Sequence, residues 1–157
     1  MDTFISNSPE ETFALGQRWA AEARSGWIVG LIGDLGTGKT QLVKGLAVGL
    51  GITGTVTSPT FGLLQEHGDG ALPLAHIDLY RLDSQSEIIG AGLEHHLTMP
   101  DGLAAVEWFE RWLGGGWQPG QPLPESAQPD GGQALRLVHL SDEGETKRKI
   151  VHEDFGD

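Results

Sequence analysis

The sequence predicts an α/β fold of three layers, with a mostly parallel central sheet and antiparallel edge strands at its C-terminus. Trp27-Ile-Val-Gly-Leu-Ile32 is a short apolar run bounded by glycines, the pattern of a buried strand. A glycine-rich turn comes directly after it. Residues 39–50 then carry Leu42, Val43, Leu46, Ala47 and Leu50 at helical spacing, and Gly51 stops them. Leu103-Ala-Ala-Val-Glu107 repeats the buried-strand pattern and ends in a carboxylate. Strand, tight turn and helix in succession form the first half of a parallel α/β unit.

The other elements are set by local chemistry. Ser8-Pro9-Glu10-Glu11 opens a helix, with Ser8 as cap, Pro9 at the first position and Glu11 three after the cap; it is expected to reach Arg24. Strands are expected near 61–66 and 74–79. Ser84 and Glu87 form a second capping box, predicting a helix to about Leu97. Gly114-Gly-Gly116 begins a stretch holding Pro119, Pro122, Pro124 and Pro129, so 114–132 reads as an exposed loop or insertion. Ala134–Leu140 and Lys147–His152 read as two closing edge strands. No internal repeat is present, and 157 residues are one domain's worth of chain, taken as residues 1–157.

Composition excludes several classes of function. Ten Lys+Arg against 22 Asp+Glu leave a net charge of −12, and only four of the ten are lysines. Gripping a nucleic-acid backbone needs a basic face, whereas an acidic chain suits a basic protein partner. No run approaches a membrane span of about 18 apolar residues. Absence of cysteine excludes disulfides, thiolate metal sites and cysteine nucleophiles. Met1-Asp2-Thr3 begins no secretory signal, which fits a cytoplasmic protein.

The chemistry concentrates at Gly33-Asp34-Leu35-Gly36-Thr37-Gly38-Lys39-Thr40, a full match to the phosphate-loop pattern. Its glycines let backbone N–H groups turn toward phosphate oxygens at the start of a helix. Lys39 can reach the β- and γ-phosphates, and the Thr40 hydroxyl can bind Mg²⁺. Hydrolysis needs a further acidic residue, and two are candidates: Asp78 in His76-Ile-Asp-Leu-Tyr-Arg81 and Glu107. Both are expected at the carboxyl ends of strands, where ligands of parallel sheets gather. Each could instead cap its strand or pair with Arg81.

Taken together, Gly33–Thr40, Ser58-Pro-Thr-Phe61, His76–Arg81 and Val106-Glu-Trp108 resemble the TsaE (YjeE) family. These are small P-loop ATPases required for making threonylcarbamoyladenosine in bacterial tRNA. Over roughly residues 10–112 the resemblance implies a P-loop fold and roles by position. Lys39 would hold phosphates, Thr40 and Glu107 would hold Mg²⁺, and Asp78 would assist hydrolysis at the γ-phosphate. Thr60 would sense the nucleotide state, and Trp108 would stand beside the nucleotide or at a partner surface. Gln41, Glu110 and Arg136 complete the implied nucleotide contacts, though Gln41 and Phe109 depart from the family's usual hydroxyl residue and proline. The implied ligands are ATP and Mg²⁺. The implied partners are TsaB- and TsaD-like proteins, with tRNA reached only through them.

Other features carry less. His95 and His96 are adjacent and lack the spacing of a zinc site. Trp108, Trp112 and Trp117 have a single basic neighbour, Arg111, short of the basic surroundings of a base-stacking surface. Lys147-Arg148-Lys149 reads as a solvated edge-strand face. The expected function is slow ATP hydrolysis driving a conformational step in partner proteins. A small-molecule or nucleotide kinase and a nucleotide-gated scaffold are the alternatives.

Overall fold

The computed structural model describes residues 1–57, 63–114 and 117–156. Its elements in chain order are β1 (Asp2–Ser6), α1 (Pro9–Ala20), β2 (Trp27–Ile32), α2 (Lys39–Gly49), β3 (Leu64–His67) and β4 (Leu74–Asp78). Then come α3 (Gln85–Gly90), α4 (Glu94–Thr98), β5 (Leu103–Glu107), α5 (Glu110–Leu113), a 3-10 turn (Glu125–Ala127), β6 (Ala134–Asp142) and β7 (Arg148–Gly156). The strands form a sheet ordered β1-β7-β6-β2-β5-β4-β3. Its centre, β6-β2-β5-β4, is parallel, and β3, β7 and β1 are added antiparallel.

The sheet separates two apolar layers. On one face Val29, Leu31 and Ala105 meet α1 and α2 through Leu15, Trp19, Leu42, Val43 and Leu46. On the other, Ile28, Ile77, Ala104 and Val106 meet Ile88, Leu97, Phe109 and Trp112. Successive strand residues point to opposite faces, so one uninterrupted apolar strand supplies both layers. The two helices of the first layer cross closely at glycines. A Cβ on Gly45 would lie 2.0 Å from the carbonyl oxygen of Phe13, so no larger residue fits there.

Ser8 caps α1 by accepting from the Glu11 amide at 3.1 Å, as the sequence predicts. The regular helix ends at Ala20 rather than Arg24. The next residues turn more tightly, with Ala21, Glu22 and Ala23 each bonding three residues back. Ser84 caps α3 in the same manner, but the single helix expected to Leu97 is two short ones. Ala91-Gly92-Leu93 divides them, with Gly92 in the left-handed region at φ +80°.

Two strand expectations change. Ala134–Asp142 is not an edge: β6 lies between β2 and β7 and runs parallel to β2, in register from Trp27↔Ala134 to Ile32↔His139. The N-terminal residues Asp2–Ser6, which carry no strong strand pattern, form the outer strand beyond β7. Part of the Gly/Pro-rich stretch is also packed. Leu123 is buried, Trp117 and Ala127 pack against the second layer, and Ser126 accepts from Gln85 at 2.7 Å. No helix among the described residues is long and apolar enough to cross a membrane.

Candidate functional site

Parallel strands β2, β4 and β5 end together, and register brings Leu31, Glu107 and Asp78 side by side at that edge. The loop 33–38 leaves β2 there and enters α2. Gly36 and Gly38 adopt φ of +80° and +99°, a region closed to most side chains. Gly38 precedes α2 without a side-chain cap, so the helix start faces the cavity with its own backbone. That cavity holds about 520 Å³ and is lined by Leu35, Gly36, Thr37, Gly38, Lys39, Thr40, Gln41, Asp78, Glu107 and Trp108. Ser8, Pro9, Thr12, Tyr80, Glu145, Thr146 and Arg148 complete its walls.

Lys39 is buried inside this loop. Its ammonium donates to the carbonyls of Gly33 and Asp34 and lies 4.3 Å from the centre of the Trp108 ring. Burial pulls its pKa below the usual lysine range, opposed by the nearby carboxylates of Glu107, Glu110, Asp78 and Asp34. Trp108 has a φ of +60°, rare for a bulky residue. Its ring also meets Tyr80 at 4.9 Å. A strained turn therefore sets an aromatic wall against the lysine.

Glu107 is buried, and both of its oxygens are engaged. Oε1 accepts from the Thr40 hydroxyl at 2.9 Å, and Oε2 meets Nε2 of His76 at 2.5 Å. Asp78 is also buried; its Oδ1 accepts from the Tyr80 amide at 2.8 Å. Among the described residues no group of three or more His, Asp and Glu could by itself hold a metal. Mg²⁺ carried on a nucleotide does not require one, because it keeps several waters and takes one or two protein oxygens beside the phosphates. Thr40 and Glu107 supply hard oxygen donors at the right end of the loop, so the residues fit that ion.

The other candidate residues fall in different places. Gly33 and Asp34 serve through their carbonyls and border a smaller hollow, of about 330 Å³, with Glu110 and His139. Glu110 faces a second cavity, of about 560 Å³, which shares Trp108 with the first. Burial raises its pKa above the usual glutamate range. Thr60, with Ser58, Pro59 and Phe61, lies outside the described residues.

Arg136 does not line the cavity. It sits mid-strand opposite Val29, whereas the phosphate loop begins after Ile32. Its guanidinium bonds Asp154 at 2.7 and 2.8 Å and Glu22 at 3.0 Å, above the rings of Trp19 and Trp27. The arginine on the cavity wall is instead Arg148, which donates to the carbonyl of Gly36 at 3.2 Å and pairs with Asp142 at 2.9 Å. Its signal in the sequence is the basic triplet 147–149. Only the β6–β7 hairpin turns one member of that triplet onto the loop.

The model of the family described as threonylcarbamoyl adenosine biosynthesis protein TsaE matches residues 6–150. The chain belongs to the TsaE family. A TsaE protein of Bacillus subtilis, named for tRNA threonylcarbamoyladenosine biosynthesis, is 48% identical over 101 residues, which are 64% of this chain and 62% of that one. A TsaE protein of a Nostoc species is 44% identical over 105 residues, 65% of this chain and 64% of its own. The matched stretch is thus less than two thirds of either relative. The crystal structure of YdiB from Bacillus subtilis superposes with a TM-score of 0.70 at 32% identity, covering 98% of this chain and 83% of that one. The TsaE assignment agrees with the P-loop-like arrangement of a mixed sheet with a parallel centre.

Proposed function

We propose that this chain binds Mg²⁺–ATP and hydrolyses it slowly as a cytoplasmic subunit of the machinery that makes threonylcarbamoyladenosine in tRNA. The observation that carries the reading is the Thr40–Glu107 hydrogen bond, which sets an oxygen pair beside a buried lysine at the start of α2. In this role Lys39 exchanges its two loop carbonyls for β- and γ-phosphate oxygens. Thr40 and Glu107 hold Mg²⁺, which supplies neutralisation of phosphate charge. Asp78, beside Glu107 in register, would orient the attacking water. Trp108 and Tyr80 wall the site, and Thr60 couples it to the nucleotide state.

Partners complete the function in this proposal. A net charge of −12 repels tRNA, so TsaB- and TsaD-like proteins carry the tRNA and the threonylcarbamoyl chemistry. The deciding experiment is an ATPase titration with and without those two proteins, beside a tRNA gel-shift on the isolated chain. Slow turnover that rises with partners, without tight tRNA binding, is expected. Full turnover alone, or phosphate passed to an acceptor other than water, defeats the reading.

A further inference from the structure

His76 lies in β4, opposite Ala105 of β5, and is completely buried. Strand alternation puts it on the same face as Asp78 and Leu74, beneath the layer formed by α2. Nε2 meets Glu107 at 2.5 Å, while Nδ1 has no hydrogen-bond partner among the described residues. An imidazole in such a layer loses its hydration and regains one bond. That bond goes to Glu107. A carboxylate only accepts hydrogen bonds, so Nε2 is the donor.

The two bonds to Glu107 fall on different oxygens. The Thr40 hydroxyl can donate its proton to Oε1 while a lone pair turns to a metal, and the His76 bond holds Oε2 from inside the sheet. We propose that His76 is a positioning residue that holds the Glu107 carboxylate in place for Mg²⁺. It touches neither nucleotide nor metal. It acts by fixing the plane of a flexible side chain at the end of β5, as outer partners of metal ligands commonly do. The inference rests on the reading of Thr40 and Glu107 as the Mg²⁺ holders.

The test measures ADP binding by calorimetry over a range of MgCl₂ and again in EDTA, with a thermal melt of each variant. His76→Leu is expected to lose roughly ten- to a hundredfold in Mg²⁺ affinity while binding ADP in EDTA within about twofold of the parent. His76→Gln, whose amide nitrogen reaches the position of Nε2, restores most of the loss; His76→Asn, which is too short, does not. If His76→Leu fails to fold, the Gln and Asn variants decide between themselves. A folded His76→Leu or His76→Asn with the parent's Mg²⁺ dependence overturns the proposal. So does an equal loss in EDTA, or a folded His76→Gln no better than Asn. Unchanged Mg²⁺ dependence in Glu107→Ala and Thr40→Ala would instead remove the metal reading beneath it.

Discussion

Thr40 and Glu107 are 67 positions apart in the chain, and the hydroxyl of one donates to the carboxylate of the other across 2.9 Å. The contact exists because β2 and β5 are parallel neighbours in register, Leu31 beside Glu107. The loop and helix after β2 therefore meet the last residue of β5 at one edge of the sheet. Removing either oxygen should weaken Mg²⁺-dependent nucleotide binding. We expect Glu107→Ala and Thr40→Val each to lose about tenfold, or ~1.4 kcal/mol, with the double variant losing less than the sum. Calorimetry with and without Mg²⁺ measures this, and strict additivity would mean the two act apart.

Lys39→Ala should abolish most ATP affinity, by about a hundredfold or more, since it removes a buried cation aimed into the loop. The variant also frees the carbonyls of Gly33 and Asp34. A melting curve separates loosening of the empty loop from loss of the ligand contact. Near-parent affinity in calorimetric titration would show that the loop holds no phosphate.

Asp78→Asn is the cleaner test of the second carboxylate. It keeps an oxygen for the Tyr80 amide while removing the charge and turning the other oxygen into an NH₂ donor. ATP binding should stay within about twofold, while hydrolysis falls at least roughly tenfold, the mark of a group acting in the transition state. Single-turnover measurements read both quantities. A matching fall in affinity would mark Asp78 as a binding residue.

Arg136 and Arg148 should part company. Arg148→Ala should lower nucleotide affinity, whereas Arg136→Met should leave it unchanged and lower the melting temperature. The bond to Arg136 holds the Asp154 carboxyl below its usual pKa of 3.8. A depressed folded-state pKa adds stability above the unfolded value and loses it as the pH falls through the folded one. The penalty of Asp154→Asn should therefore be present at neutral pH and fade below about pH 3.8. It should stay within about 1 kcal/mol, because Asp154 is more than half exposed and water screens the pair. Denaturant melts at neutral and acid pH check the sign.

Leu123→Ala should cost about 2 kcal/mol, although it lies in the Gly/Pro-rich stretch. The side chain is 7% exposed and belongs to the layer of Ile88, Leu97 and Trp112. ATP affinity should not change. A stability equal to the parent's would restore the view of residues 114–132 as an exposed loop.

How legible the site is in the sequence depends on what each residue answers to. Lys39 and Thr40 belong to a contiguous pattern whose spacing is itself the chemistry, so the pattern names both. Glu107 and Asp78 are legible because each ends an apolar run or lies beside its end. Arg148 is not, because its neighbours in sequence form only a basic triplet. Its contact with Gly36 depends on how a hairpin folds over a loop more than 100 residues earlier. His76 stands within a motif, yet the bond that gives it a role crosses from β4 to β5.

By itself the chain determined its local elements: the caps at Ser8 and Ser84, the buried runs of β2 and β5, and the turn that opens α2. These obey interactions within a few residues of one another, and such interactions are written in spacing. The strand order was decided by the tertiary structure. It placed β6 inside the sheet, drew Asp2–Ser6 to its edge and kept Arg136 away from the cavity at the phosphate loop. An apolar strand satisfies its backbone equally well beside several partners. Which partner it takes is settled only when both faces of the sheet are covered at once.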